Sequence, residues 1–177
     1  LVEWRKNQFM FNFGPASPDE INVFGAAKPG GTQEDVNRWL EFMTRNGISR
    51  VVCLMHQDEL GSKVPANLID TYYSHFDKSN VLHSGISDFQ LASQEQAHNI
   101  SIFLADGCRH YHKTVVHCSA GMGRTGHVLA CWLVAGRGHV PNEAINLVKS
   151  VKGVSRNPRE SGEDIVSLLE ECRLMKL

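Results

Sequence analysis

Charge of neither sign prevails in this 177-residue chain, where 18 Lys and Arg face 19 Asp and Glu for a formal net charge of −1. Without a basic stripe, nucleic acid is not expected as the main partner, and membrane binding has no electrostatic reason. Apolar runs are short, and none approaches the roughly 20 residues of a membrane-spanning helix. The N-terminal stretch "LVEWRKNQFMFNFGPASPDE" has neither a signal-peptide core nor a twin-arginine pattern. Its first residue is Leu rather than Met, which leaves room for a longer parent chain. The five cysteines, Cys53, Cys108, Cys118, Cys131 and Cys172, are odd in number and too sparse for a disulfide scaffold. A reducing, cytoplasmic setting is therefore expected. There is no internal repeat and no low-complexity segment. What these absences leave is a soluble chain read as one domain over residues 1–177, and its 42% hydrophobic content suffices for a real core.

Elements follow from pattern. "INVFGAA" (21–27), "SRVVCLM" (49–55), "NVLHSGI" (80–86) and Lys113 to Cys118 read as strands. The continuous "TVV" of the last suits a strand covered on both faces. Thr32 caps a helix in "TQEDVNRWLEFMTRNG", where Val36, Trp39, Leu40 and Met43 form the buried stripe. Ser93, with Gln96 at the box position, starts another in "SQEQAHNISIFLADGCRHY". Shorter or later helices are predicted near "ANLIDTYYSHF", from Arg124 to Ala135, in "NEAINLVKSVK" and in "GEDIVSLLEECRLMKL". Strands alternating with helices, then a helical final third, predict an α/β fold: a mostly parallel central sheet flanked by helices. In such sheets the functional loop lies at the carboxyl ends of the strands, where Cys118 falls.

That loop, "HCSAGMGRTG", is dense in glycine. Taken alone, Cys118 is a nucleophile, a metal ligand or a small core residue. Gly121, Gly123 and Gly126 permit a backbone curled so that its N–H groups point inward. The following helix adds its positive end, and Arg124 offers a planar fork for two phosphate oxygens. The same field shifts a thiol toward its thiolate, so the loop serves as both phosphate cradle and nucleophile. A P-loop of the nucleotide-binding kind is excluded, because no Lys stands in it. Cys108, His110, His112 and His117 cluster in "CRHYHKTVVHC", but their spacing is not that of a zinc site, and no metal or other cofactor is expected.

"HCSAGMGRTG" resembles the H-C-x5-R-[ST] signature of the cysteine-dependent protein tyrosine and dual-specificity phosphatases. "GAAKPG", "GISRVVCLMHQDELGSKVPANLIDTYY" and "ISDF" are similar to small atypical members of the cyclin-dependent-kinase-associated phosphatase type. The resemblance covers roughly Val23 to Leu169 and implies the protein tyrosine phosphatase-like fold. It also implies hydrolysis through a phosphocysteine on Cys118, with Arg124 holding phosphate. Asp88, thirty positions before Cys118, matches the general acid. Thr125 matches the hydroxyl that eases thiolate departure, and His117 the histidine that braces the loop. Ser119, Ala120, Gly121, Met122 and Gly123 line the phosphate site, and Asn157 is a candidate to reach it. Asp58 and Glu59 are competing carboxylates whose distance from Cys118 does not fit. Cys53 stands where related enzymes carry a second cysteine; it is either a redox partner of Cys118 or an inert strand residue.

No Lys lies between Cys118 and Arg124, and the W-P-D triplet of the large tyrosine-specific domains is missing. Set beside the resemblance, the first favours a phosphorylated protein with one phosphate per site, and the second implies a shallower pocket open to phosphoserine and phosphothreonine beside phosphotyrosine; a monomer is expected. A non-protein phosphate (an RNA 5′-triphosphate or a phosphoinositide) and a phosphate-binding pseudoenzyme are the alternatives.

Overall fold

Two capping boxes set where the long helices begin. Thr32 accepts from the Asp35 amide while Asp35 caps Thr32 in return, and Ser93 and Gln96 repeat the arrangement. The computed structural model of the chain describes residues 10–162 and 164–177. Its strands are β1 (Gly14–Pro15), β2 (Val23–Ala27), β3 (Ile48–Met55), β4 (Val81–Ile86) and β5 (Lys113–Cys118). Its helices are α1 (Gln33–Arg45), α2 (Leu68–Phe76), α3 (Gln94–Arg109), α4 (Gly123–Arg137), α5 (Pro141–Ser150) and α6 (Ile165–Cys172).

The strands form one sheet in the order β1-β2-β5-β3-β4. All pairs are parallel except β1 with β2 at the edge, so the mostly parallel sheet is as predicted. β5 lies at its centre with Thr114 to Cys118 buried, as the "TVV" run requires. Side chains alternate between two cores. Val52, Leu54, Val116 and Cys118 join α3 to α6 on one face, while Val51, Cys53, Met55 and Val115 join α1 and α2 on the other.

The strand predicted from Ile21 is β2, and it starts two residues later, at Val23. There the chain still turns, with the amides of Ile21 and Asn22 donating to the Glu20 carboxylate. That carboxylate, buried itself, also takes Trp132 Nε1 at 3.0 Å and the Arg137 guanidinium, which fastens the sheet's entry to α4. α4 is buried along nearly its whole length, so it threads the core and holds the start of the site rigid. Of the segment predicted as the last helix, Ile165–Cys172 is helical and Glu163 lies outside the described residues. No described helix is long and apolar enough to cross a membrane.

Candidate active site

β2 and β5 end side by side, with Ala27 opposite Cys118, and the loop from Ser119 to Met122 bridges to α4. The carbonyls of this loop are pinned from outside. Ser119 O accepts from the Lys28 amide at 3.1 Å. Asn12 Nδ2 donates to Ala120 O at 3.1 Å and Gly121 O at 3.3 Å. Arg156 Nη1 reaches Gly121 O at 2.7 Å, and Met122 O takes the Asn157 amide at 3.4 Å beside the first bond of α4, from the Gly126 amide at 2.8 Å. A trans-planar peptide carries its N–H opposite its C=O, so each outward carbonyl turns the next amide to the inner side. Ala120, Gly121, Met122 and Gly123 thus present a row of donors there, an anion nest at a helix N-terminus. Gly121 is essential to the curl. Its φ is +71°, and a Cβ would sit 2.5 Å from the backbone of Ala26.

Within this concavity Cys118 is buried and its Sγ accepts from Thr125 Oγ1 at 3.1 Å. Arg124, only 2% exposed, leaves its Nε without a partner among the described residues. Its two terminal nitrogens meet Glu59 at 2.5 and 3.0 Å, and Nη1 also donates to Ile86 O at 2.9 Å. Burial opposes the Arg124 charge, but Glu59, Cys118 and Asp88 outweigh it and hold the guanidinium above its usual pKa. Burial likewise works against ionised Glu59, yet bonds from Arg124, Lys63 and the His56 amide bring its carboxyl down to about 2. Asp88 lies beyond β4 with Oδ1 3.4 Å from Arg124 Nη2 and Oδ2 3.9 Å from Lys63 Nζ. Its loop is tied to α4 at both ends, by Arg124 on the Ile86 carbonyl and by the Ala92 amide donating to His127 Nε2 at 2.9 Å.

The candidate residues do not all converge. His117 points to the opposite face, where Nε2 lies 3.0 Å from the Tyr72 hydroxyl and Nδ1 is 3.3 Å from Cys118 O. Burial keeps it neutral, with a pKa of about 4, so it braces the strand end without adding charge. Asn157 meets the loop through its backbone, the amide lying 3.4 Å from Met122 O; the neighbouring Arg156 supplies the side chain. Cys53 is a free thiol on the Trp39 and Tyr72 side of the sheet, pushed up to about 12 by burial. Cys108, His110 and His112 turn to separate partners: Arg137, Asp106 and Ser49. Among the described residues, no three His, Cys, Asp or Glu side chains are grouped to hold a metal ion. Glu59, Arg156, Asn12 and His127 are what the sequence reading missed. Only Glu59 carried a signal, as a carboxylate in a polar loop.

Fold and loop together define a phosphatase of the dual-specificity and protein tyrosine class. The chain belongs to the family described as Tc-R-P, polymorphic toxin system, DSP-PTPase phosphatase, whose family model matches residues 24–138, well over half its length. Solved structures share the fold. Tk-PTP in its active form is 24% identical with a TM-score of 0.67, covering 88% of this chain and 93% of that one. Kinase associated phosphatase (KAP), with its catalytic-site cysteine replaced by serine, is 22% identical with a TM-score of 0.72, covering 88% and 89%. PTPMT1 in complex with PI(5)P is 16% identical with a TM-score of 0.66, covering 92% and 97%. At these identities the likeness is one of fold. No curated protein matches the sequence.

Proposed function

We propose that this phosphatase acts on phosphorylated protein side chains through a phosphocysteine formed on Cys118. One observation carries the reading: among the described residues the buried Arg124 Nε has no partner, and it stands in the first turn of the helix entered from Cys118 through the curled loop, whose donors are free on the inner side. A phosphate dianion satisfies those donors at once. Sulfur attacks phosphorus while the P–O bond to the side chain breaks, and Asp88 gives its proton to the departing oxygen. Water then attacks the phosphocysteine and yields its proton to Asp88. The S–P bond breaks, inorganic phosphate leaves, and Thr125 Oγ1 steadies the returning thiolate. The inner faces of Ser119 to Gly123 hold the phosphate oxygens, His117 braces the strand end, and Asn157 steadies the loop from outside. No step calls for a metal or cofactor.

Lysines near the mouth are the one argument for a more highly charged substrate, such as the phosphoinositide of the PTPMT1 complex. Both are already engaged: Lys28 Nζ donates to the Pro29 and Lys63 carbonyls, and Lys63 pairs with Glu59 at 2.9 Å. A singly phosphorylated residue on a protein is the better match. The five free thiols support a reducing, cytoplasmic setting. The test is Cys118→Ser: turnover of an aryl phosphate and of phosphopeptides should vanish while vanadate still binds, and EDTA should leave the wild type untouched. Substantial residual turnover would sink the mechanism. The family's tie to polymorphic toxin systems adds a coarse readout, growth arrest on expression of the wild type but not of Cys118→Ser.

A further inference from the structure

Among the described residues, Arg156 is a buried cation with no carboxylate beside it. It is 6% exposed, and among the described residues Cys118 is the one group whose charge acts on it. Its hydrogen bonds all go to carbonyls: Gly121 O at 2.7 Å, Asn12 O at 2.8 Å and Ser155 O at 3.3 Å. Its Nε has no partner among the described residues. The guanidinium fills the space that Gly25 of β2 leaves open, where a Cβ would lie 2.8 Å from both Arg156 Nη2 and Thr125 Cγ2. It therefore sits behind the loop, against the residue whose hydroxyl bonds Cys118 Sγ.

An uncompensated buried charge is expensive, and a neutral amide serves to hold a carbonyl. The charge has a purpose if the loop holds an anion. In the resting site Arg124 and Lys63 are matched by Glu59 and Asp88, and once Asp88 carries the proton it donates, one positive charge is left among those four. That single charge does not balance a thiolate and a phosphate dianion together. We propose that Arg156 is a positioning residue for phosphoryl transfer, fixing the Gly121 carbonyl outward and supplying, from behind the loop, the positive charge that Cys118 and the bound phosphate require. Burial draws the Arg156 guanidinium down to about 10, and the Cys118 charge works in the opposite direction. The proposal rests on Cys118 being the nucleophile.

The experiment compares Arg156→Met and Arg156→Lys with the wild type. Thermal melting reports folding, iodoacetamide labelling of the Cys118 peptide is followed against pH by mass spectrometry, and vanadate inhibition reports the phosphate site. Arg156→Met should move the labelling midpoint up by about one pH unit and weaken vanadate about tenfold. Arg156→Lys should keep the midpoint within a few tenths of a unit, because the charge remains. A folded Arg156→Met with wild-type midpoint and vanadate inhibition overturns the proposal. If that variant does not fold, Arg156→Lys decides. Folded with its midpoint held, it supports the charge role; unfolded, or folded with a raised midpoint, it overturns it. Failure of the underlying reading is separately visible, as turnover that survives Cys118→Ser.

Discussion

At Asp88 the neighbours decide what the carboxyl can do. Arg124 and Lys63 both reach it, while nearly half of its side chain remains open to solvent, as a group meeting an arriving substrate needs. Asp88→Asn should lower kcat about 100-fold for phosphopeptides and far less for a nitrophenyl ester, whose leaving group needs no proton. Equal losses on the two substrates would remove Asp88 from the acid's role. Glu59 shows why residue roles are partly illegible in sequence. Its distance along the chain from Cys118 argues against a general acid, but its partner Arg124 stands 65 positions away. Only folding reveals a carboxylate that holds the Arg124 fork. Glu59→Gln leaves the buried guanidinium without its counter-charge. We expect a loss of about 10- to 100-fold in kcat/KM and on the order of 3 kcal/mol of stability, read by steady-state kinetics and urea unfolding. Wild-type kinetics in that variant would make the pair purely structural.

At the scale of elements, what was legible is what is written locally. The Thr32 and Ser93 boxes set α1 and α3, and the stripe of Val36, Trp39, Leu40 and Met43 is the buried face observed. Β-branched runs gave β3 and β5. β1 was illegible because Gly14 and Pro15 have no strand pattern, and the edge pairing with Gly25 and Phe24 alone creates it. The loop before α4 joins both kinds of information. Its glycines announced a curl, but the outside donors that fix it come from Asn12, Lys28 and Arg156, remote in sequence. The curl itself can be tested at Gly121. Gly121→Ala forces a left-handed φ on a residue with a Cβ, at about 1–2 kcal/mol, and drives that carbon into Ala26. Turnover should fall at least about 100-fold with a lower melting temperature. A variant with wild-type kcat would show that the loop functions without this conformation.

For the whole molecule, the buried histidines set the response to acid. His117 lies between the sheet and α1 and α2, and His127 lies inside α4; burial first, and Arg124 nearby, lower both to about 4. In the unfolded chain they titrate near ~6.5. Between those values the unfolded state binds more protons, so stability falls as pH drops from about 6.5 toward 4, by about 1.4 kcal/mol per unit for each histidine. Glu59 acts in the next window. Its lowered pKa of about 2 gives stability that is complete above its unfolded value and lost as pH falls from roughly 4.5 to 2. The two windows reach the site in order. Protonating His127 removes the acceptor of the Ala92 amide and frees the far end of the Asp88 loop, whereas protonating Glu59 loosens Arg124 itself. Melting temperatures taken from pH 7 to 4 should decline steadily, and His127→Gln should shallow the slope. After a brief exposure near pH 5, activity should return fully on neutralisation. A flat profile down to pH 4.5 would mean that the two histidines are not held neutral by the fold.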